Sequence, residues 1–288
     1  MNGSTPRPLI RTPAQLDWQP DDNGRSRADL TDPGLTSGGF DARMVRIPAG
    51  QETDLQAWHA HGHEQGFWVL KGELGMRIGD REPVVPPGGY LNVGAGVPHQ
   101  PFRASSHPLE LLIVSAPADG ANHEPPAAGD DTAGSDRFTL RLPGEGETIT
   151  AVGDCYRFLV TGNDTGGRYA IWHATVPPGG GPPPHRHSRE DEFFYLLEGR
   201  MSFFDDGQRH LAGPGAAVTL PRHGRHWFKN EGDQPAAMLI AAAPAGLDQM
   251  LIRAGREWCL ADGPPPPPTE GDIGRLMALV SDYGIEIG

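Results

Sequence analysis

Residues 179–199 read GGGPPPHRHSREDEFFYLLEG, and the spacing of His185, His187 and Glu192 between Gly179 and Gly199 decides how the rest of the chain is read. Side chains alternate across a strand, so His185 and His187 share one face while Arg186 points away. A third histidine and a carboxylate from neighbouring strands complete a nitrogen-and-oxygen cage suited to a divalent first-row transition metal. Three imidazoles buried together without an ion would be expensive polar groups in need of other partners.

The same skeleton occurs earlier in the chain. His59, His61, Gln65, Gly72 and His99 precede His185, His187, Glu192, Gly199 and His226 by 126, 126, 127, 127 and 127 residues. A repeat of this length is a whole domain rather than a solenoid module, which points to a duplicated domain that kept its polar cluster. Chance clustering or strand-end capping would account for either pair alone. It does not account for both copies with their shared Gly and Pro punctuation.

Length and composition agree with two domains. A chain of 288 residues is long enough for two hydrophobic cores. Its formal charge of −13 argues against nucleic-acid binding, which needs a basic footprint. Lys71 and Lys229 stand against 22 arginines, a bias that suggests a GC-rich, bacterial genome. With only Cys155 and Cys259 there is no disulfide framework, so a reduced cytoplasmic setting is expected. No apolar run approaches the ~20 residues of a membrane span, and the first residues lack a signal-peptide core.

Many short β-rich runs separated by Gly and Pro predict an all-β sandwich or barrel. Residues 1–40 are polar and turn-rich and are expected to form an arm with little regular structure. Strands are then expected over 42–47, 66–70, 74–78, 90–93 and 109–114. A second set falls at 156–160, 169–175, 192–197, 201–204, 217–220 and 237–242. The tract 117–136, rich in Pro, Ala, Gly and Asp, reads as an exposed linker. The expected organisation is therefore an arm and first domain over 1–118, a linker over 119–136, and a second domain with its tail over 137–288. In that tail, 246–256 and 272–283 have helical spacing, the latter with Ile273, Leu276, Met277 and Val280 on one face, and Pro264 to Pro268 reads as polyproline. Such a tail is expected to close the open end of a barrel or to form a seam in a homodimer.

Gly179-x5-His185-x-His187-x4-Glu192-x6-Gly199 resembles the first cupin motif without a gap, and Gly215-x5-Pro221-x4-His226-x3-Asn230 resembles the second. One departure is His223, at a position usually held by glycine. The N-terminal copy is looser, with Gly94 in place of the second motif's proline and Gln65 in place of the glutamate. The chain therefore resembles a bicupin, two tandem β-barrels of the RmlC-like type with a short helical tail, over residues from about 42 to 243. Tyr283 to Ile287 is similar to the tail of bacterial cupins described as quercetin-dioxygenase-like.

This resemblance implies that His185, His187, Glu192 and His226 ligate a divalent ion, with iron, manganese, nickel and cobalt all compatible. It also implies Glu192 as general base toward a substrate hydroxyl, with the ion as Lewis acid and template. The expected activity is that of a metal-dependent oxygenase using dioxygen on a small hydroxylated aromatic or enolic metabolite. The rivals are a non-oxidative isomerase, cyclase or decarboxylase, and a protein in which the metal merely anchors a ligand. Phe194, Leu196, Phe204 and Phe228 are expected to share the inward side. In the first copy His59, His61, Gln65 and His99 stand at the ligand positions, but Gln65 is neutral and cannot act as a base. Glu64 should face the other way, and His63 is an alternative ligand or a loop-end histidine.

Overall fold

The computed structural model describes residues 8–22, 24–32, 34–36, 38–50, 53–116, 137–258 and 263–288. The chain divides into two compact units, one of residues 16–145 and one that joins residues up to 15 with 146–288.

The N-terminal unit is built from two antiparallel sheets. Seven strands run in the order Phe138–Arg141, Tyr90–Val93, Glu64–Lys71, Leu109–Ala116, Asp41–Ile47, Ser26–Asp29 and Gln19–Pro20. The second sheet has Thr53–Asp54, His99–Arg103, Leu74–Ile78 and Val84–Val85. Between them lie Phe67, Val69, Met76, Leu91, Leu111 and Ile113.

The C-terminal unit repeats the plan. Its larger sheet runs Leu9–Arg11, Ala217–Leu220, Asp191–Glu198, Ala236–Ala243, Ala170–Val176, Asp154–Val160, Thr148–Ala151 and Arg256–Glu257. Its smaller sheet runs Gln208–Ala212, Met201–Asp205, His226–Lys229, His185–His187 and Ile285–Ile287. Phe194, Phe203 and Phe228 meet between the sheets with ring centroids 5.1, 5.7 and 6.1 Å apart. Each buried ring contributes roughly 1.5–3 kcal/mol.

Several sequence expectations change here. Each barrel is a pair of sheets over one core rather than a continuously hydrogen-bonded cylinder. Residues 8–40 are not an unstructured arm, because Leu9–Arg11, Gln19–Pro20 and Ser26–Asp29 all join sheets. Phe138–Arg141, expected in the second domain, pairs with Tyr90–Val93 of the N-terminal unit, and Leu9–Arg11 pairs with Ala217–Leu220 of the C-terminal unit. In both units the strand from outside the repeat covers the same sheet edge, which would otherwise present unpaired backbone groups. The linker 119–136 lies outside the described residues.

Phe204 is not inward. Its neighbour Phe203 enters the core, while Phe204 stacks on Trp227 at 4.6 Å on the other face of that sheet. In the tail, Leu247, Met250 and Leu251 of the helix Leu247–Ala254 pack on the C-terminal core. The helix Glu270–Met277 starts at a capping box between Thr269 and Asp272. Of its expected apolar face, Leu276 and Val280 pack inward, but Ile273 and Met277 are exposed. Among the described residues no helix is long and apolar enough to cross a membrane.

Candidate metal centres

The repeated glycines set up the ligand strands. Gly72 and Gly199 have φ of +72° and +73°, and a Cβ at either would collide with backbone, so only glycine closes these hairpins. Asn230 of the second motif is buried, donates to the carbonyls of Val176 and Gln234, and accepts from Gly232 N–H. Backbone bonds between Asn230 and Gly179 and Gly180 tie it to the loop that leads into His185.

The smaller sheet then brings the ligand candidates together. His185 pairs directly with His226, as His59 does with His99. In the C-terminal unit His185, His187, Glu192 and His226 are all buried, with one potential ligand atom from each lying within 4.8 Å of the others. In the N-terminal unit His59, His61 and His99 meet the same criterion. The repeat therefore yields two clusters, one of which contains a carboxylate.

Ring orientation is set by the backbone. Nδ1–H of His59, His61, His99 and His185 donates to the carbonyls of Ala57, His63, Val97 and Pro183 at 2.8–2.9 Å. Such a bond holds the tautomer that leaves Nε2 as a lone-pair donor, as the outer partners of metal-bound histidines do. His187 Nδ1 is held instead by Glu190 Oε2 at 3.3 Å. Nε2 of His61, His99 and His187 is buried with no hydrogen-bond partner. Converging unpartnered nitrogens of this kind fit a metal ion and are costly without one.

The two clusters differ in charge. Burial pushes His99 down to about 3, with His59, His61 and His63 adding to the fall, and burial also lowers His61. Burial and the neighbouring histidines likewise bring His185 down to about 3. Burial opposes charge on His187 too, yet Glu192 and Glu190 outweigh it and raise the ring to about 9. Burial would raise Glu192, but His187 and His226 hold its carboxyl well below the usual range. Glu192 Oε2 accepts from His226 Nε2 at 2.9 Å and lies 3.3 Å from His187 Nε2, the latter without hydrogen-bond alignment. The C-terminal cluster thus contains a histidine–carboxylate pair, whereas the N-terminal histidine cluster contains no carboxylate.

Neighbouring residues take other roles. Gln65 is buried beside His61 and donates from Nε2 to Ser115 Oγ at 3.2 Å. Glu64 faces away from the histidines, its carboxylate accepting from Asn92, Ala95 N–H and Arg137. Its counterpart Asp191 is bound by Arg222. His63 stacks on His61 with centroids 3.9 Å apart and stands outside the three-histidine group. His223 sits at φ +69°, so the turn kept its left-handed backbone where the motif's usual glycine was replaced. His223 N–H donates to His187 carbonyl at 2.7 Å, which ties that turn to the ligand strand.

Motif spacing does not point to Glu190, Ser115 or Tyr156. Glu190 shares strand parity with Glu192, a signal that could have marked it. Tyr156 donates to Asp154 Oδ2 at 3.1 Å within the C-terminal core. Nothing in the local sequence brings this pair, on a different strand, to the site's barrel.

The chain belongs to the cupin family, whose domain model matches residues 43–115 and 172–242. It is 26% identical to quercetin 2,3-dioxygenase of Bacillus subtilis over 280 residues, covering 80% of this chain and 78% of that one. Among solved structures, protein Ylba from E. coli superposes with a TM-score of 0.62 at 12% identity, over 83% of this chain and 92% of its own. The oxalate decarboxylase of Lactobacillus farciminis gives 0.61 at 13% identity, over 87% and 92%. These structural likenesses establish the fold, and the chain is related to cupin enzymes.

Proposed function

We propose that the chain is a metal-dependent cupin oxygenase that acts, in its C-terminal unit, on a small hydroxylated aromatic or enolic metabolite. The observation that carries this reading is the buried Glu192 carboxylate between His187 and His226, a proton acceptor that the N-terminal cluster lacks. The similarity to quercetin 2,3-dioxygenase supports the reaction class.

His185, His187, Glu192 and His226 would hold a divalent ion, and His59, His61, His99 and Gln65 would hold a second. Iron, manganese, nickel and cobalt all accept such donors. When bound, the ion supplies Lewis-acid polarisation of a substrate oxygen.

The chain's own groups do the rest. Glu192, a carboxylate, is a modest base. It suits a hydroxyl that is itself acidic, phenolic or enolic, rather than an aliphatic alcohol. Glu190 keeps His187 oriented through Nδ1. Phe194, Phe203 and Phe228 pack against one another in the apolar core of the same unit.

Oxygen uptake with a panel of phenols, run beside metal analysis, tests the reading. Wild-type protein should consume oxygen with at least one of them. Glu192→Gln should lower turnover by about 10²–10⁴-fold, the usual worth of a positioned base, and Gln65→Ala should cost far less. Turnover without oxygen uptake would make the protein a non-oxidative isomerase, cyclase or decarboxylase. Saturable binding without turnover would make it a metal-anchored binding protein. Loss in Gln65→Ala with Glu192→Gln intact would move the chemistry to the N-terminal unit.

A further inference from the structure

Strand register allows the two interiors to be compared position by position. In the C-terminal unit Glu192 lies beside Ala242, which lies beside Ala170. The corresponding row of the N-terminal unit is Gln65, Ser115 and Asp41. One row further, Phe194, Ile240 and Trp172 correspond to Phe67, Ile113 and Arg43. Where the C-terminal unit has a fully buried tryptophan and two alanines on this face, the N-terminal unit therefore has an arginine, a serine and an aspartate.

These polar groups form a connected line. Ser115 Oγ accepts from Gln65 Nε2 at 3.2 Å and from Arg43 Nη2 at 3.4 Å, which leaves its own proton to donate elsewhere. Arg43 Nε is buried with no hydrogen-bond partner. The nearest carboxylate, Asp41, stands 3.8 Å from Arg43 Nη2, beyond hydrogen-bond distance. Both side chains are about a third exposed, at 30% and 33%, so the group is open to a small solute. Asp29 also faces Arg43 across the strand pair. The rest of the wall is apolar, with Val45, Phe67 and Ile113 on the same face.

We propose that the interior of the N-terminal unit is a second ligand site, built for a small carboxylic acid with an apolar body, in which Arg43 receives the carboxylate and Ser115 adds a donor. A guanidinium fork matches a carboxylate, and an unpartnered buried Nε–H is satisfied by one. The loss of the ligand-position carboxylate at Gln65 favours an anion on the same side. Asp41 is the resident competitor. Burial pushes its carboxyl up, Arg43 pulls it down and Asp29 pushes it up again, and at 3.8 Å it makes no hydrogen bond to Arg43 Nη2 that a ligand would have to break. The inference does not depend on which unit turns over substrate.

Titration calorimetry with sodium benzoate on the full-length protein, with its metal as isolated, tests it. Arg43→Gln should weaken binding by about 10-fold or more, the worth of a charge-assisted hydrogen bond. Arg43→Lys, which keeps the charge without the fork, should fall between. Asp41→Asn removes the competitor and should tighten binding, a change that a damaged fold would not produce. The proposal is overturned if benzoate does not bind wild type, if Arg43→Gln binds it unchanged, or if Asp41→Asn weakens binding. It is overturned equally if inorganic phosphate binds in an Arg43-dependent way and benzoate does not.

Discussion

Asp154→Asn should make the C-terminal unit more stable, and increasingly so as pH rises. Asp154 is 2% exposed, its Oδ2 accepts from Tyr156, and its Oδ1 has no hydrogen-bond partner. Burial raises the carboxyl from 3.8 to about 7, against smaller lowering effects from Tyr156 and Gly181 N–H. A folded pKa above the unfolded one means that the native state holds a proton that the unfolded chain releases. The wild type therefore suffers no cost from this group below about pH 4. The cost grows through the interval from about 4 to 7 and is constant above it. The shift of about 3 units corresponds to about 4 kcal/mol at most. Asparagine has no such titration. It still accepts from the tyrosine hydroxyl, and its new N–H adds an offset of about 1 kcal/mol that does not vary with pH. Urea unfolding of metal-free wild type and variant between pH 4 and pH 8 reads the difference directly, with metal linkage removed. A stability difference that is flat with pH, or one that moves against the variant as pH rises, would refute the assignment of a buried carboxyl whose desolvation outweighs its hydrogen bonds.

Metal analysis of purified variants should find His226→Ala stripped of most metal and His99→Ala of little. Only the C-terminal cluster pairs its histidines with a carboxylate, and full retention in His226→Ala would count against that order. His223→Gly should raise stability by about 1 kcal/mol, because an exposed non-glycine residue held at φ +69° is strained. Thermal unfolding of the two proteins under one set of conditions decides this, and a lowered midpoint would show that the histidine side chain contributes more than its backbone costs.

The two residue clusters were legible because strand alternation and a domain-length repeat are both properties of spacing. His185, His187, Glu192 and His226 converge as their phase requires, and so do His59, His61 and His99. Parity also separated Glu64 from Gln65: Arg137 and Asn92 hold the first, while the second faces Ser115. Parity failed at Phe203 and Phe204, two adjacent aromatics that composition cannot tell apart. The strand Asp191–Glu198 shows why. Both of its faces are buried through Leu196, so its hydropathy reads as a run rather than an alternation. Short strands such as His99–Arg103 and His226–Lys229 are not legible in the sequence because they begin at a cluster histidine and carry polar residues.

Periodicity and repeat spacing, which need no knowledge of neighbours, already mark a duplicated all-β protein with two histidine clusters. The sequence by itself also sets the chemical difference between the clusters, because Glu192 and Gln65 are read directly. Tertiary structure alone decided which strand covers each sheet edge, for Leu9–Arg11 and Phe138–Arg141 both join sheets across the expected boundaries. It alone placed Arg43 and Ser115 beside Gln65, and Glu190 behind His187. The physical reason is the same in each case. Spacing specifies which face a side chain takes, whereas the partner it meets there is chosen by register between strands distant in the chain, and that is a property of the packed sheets.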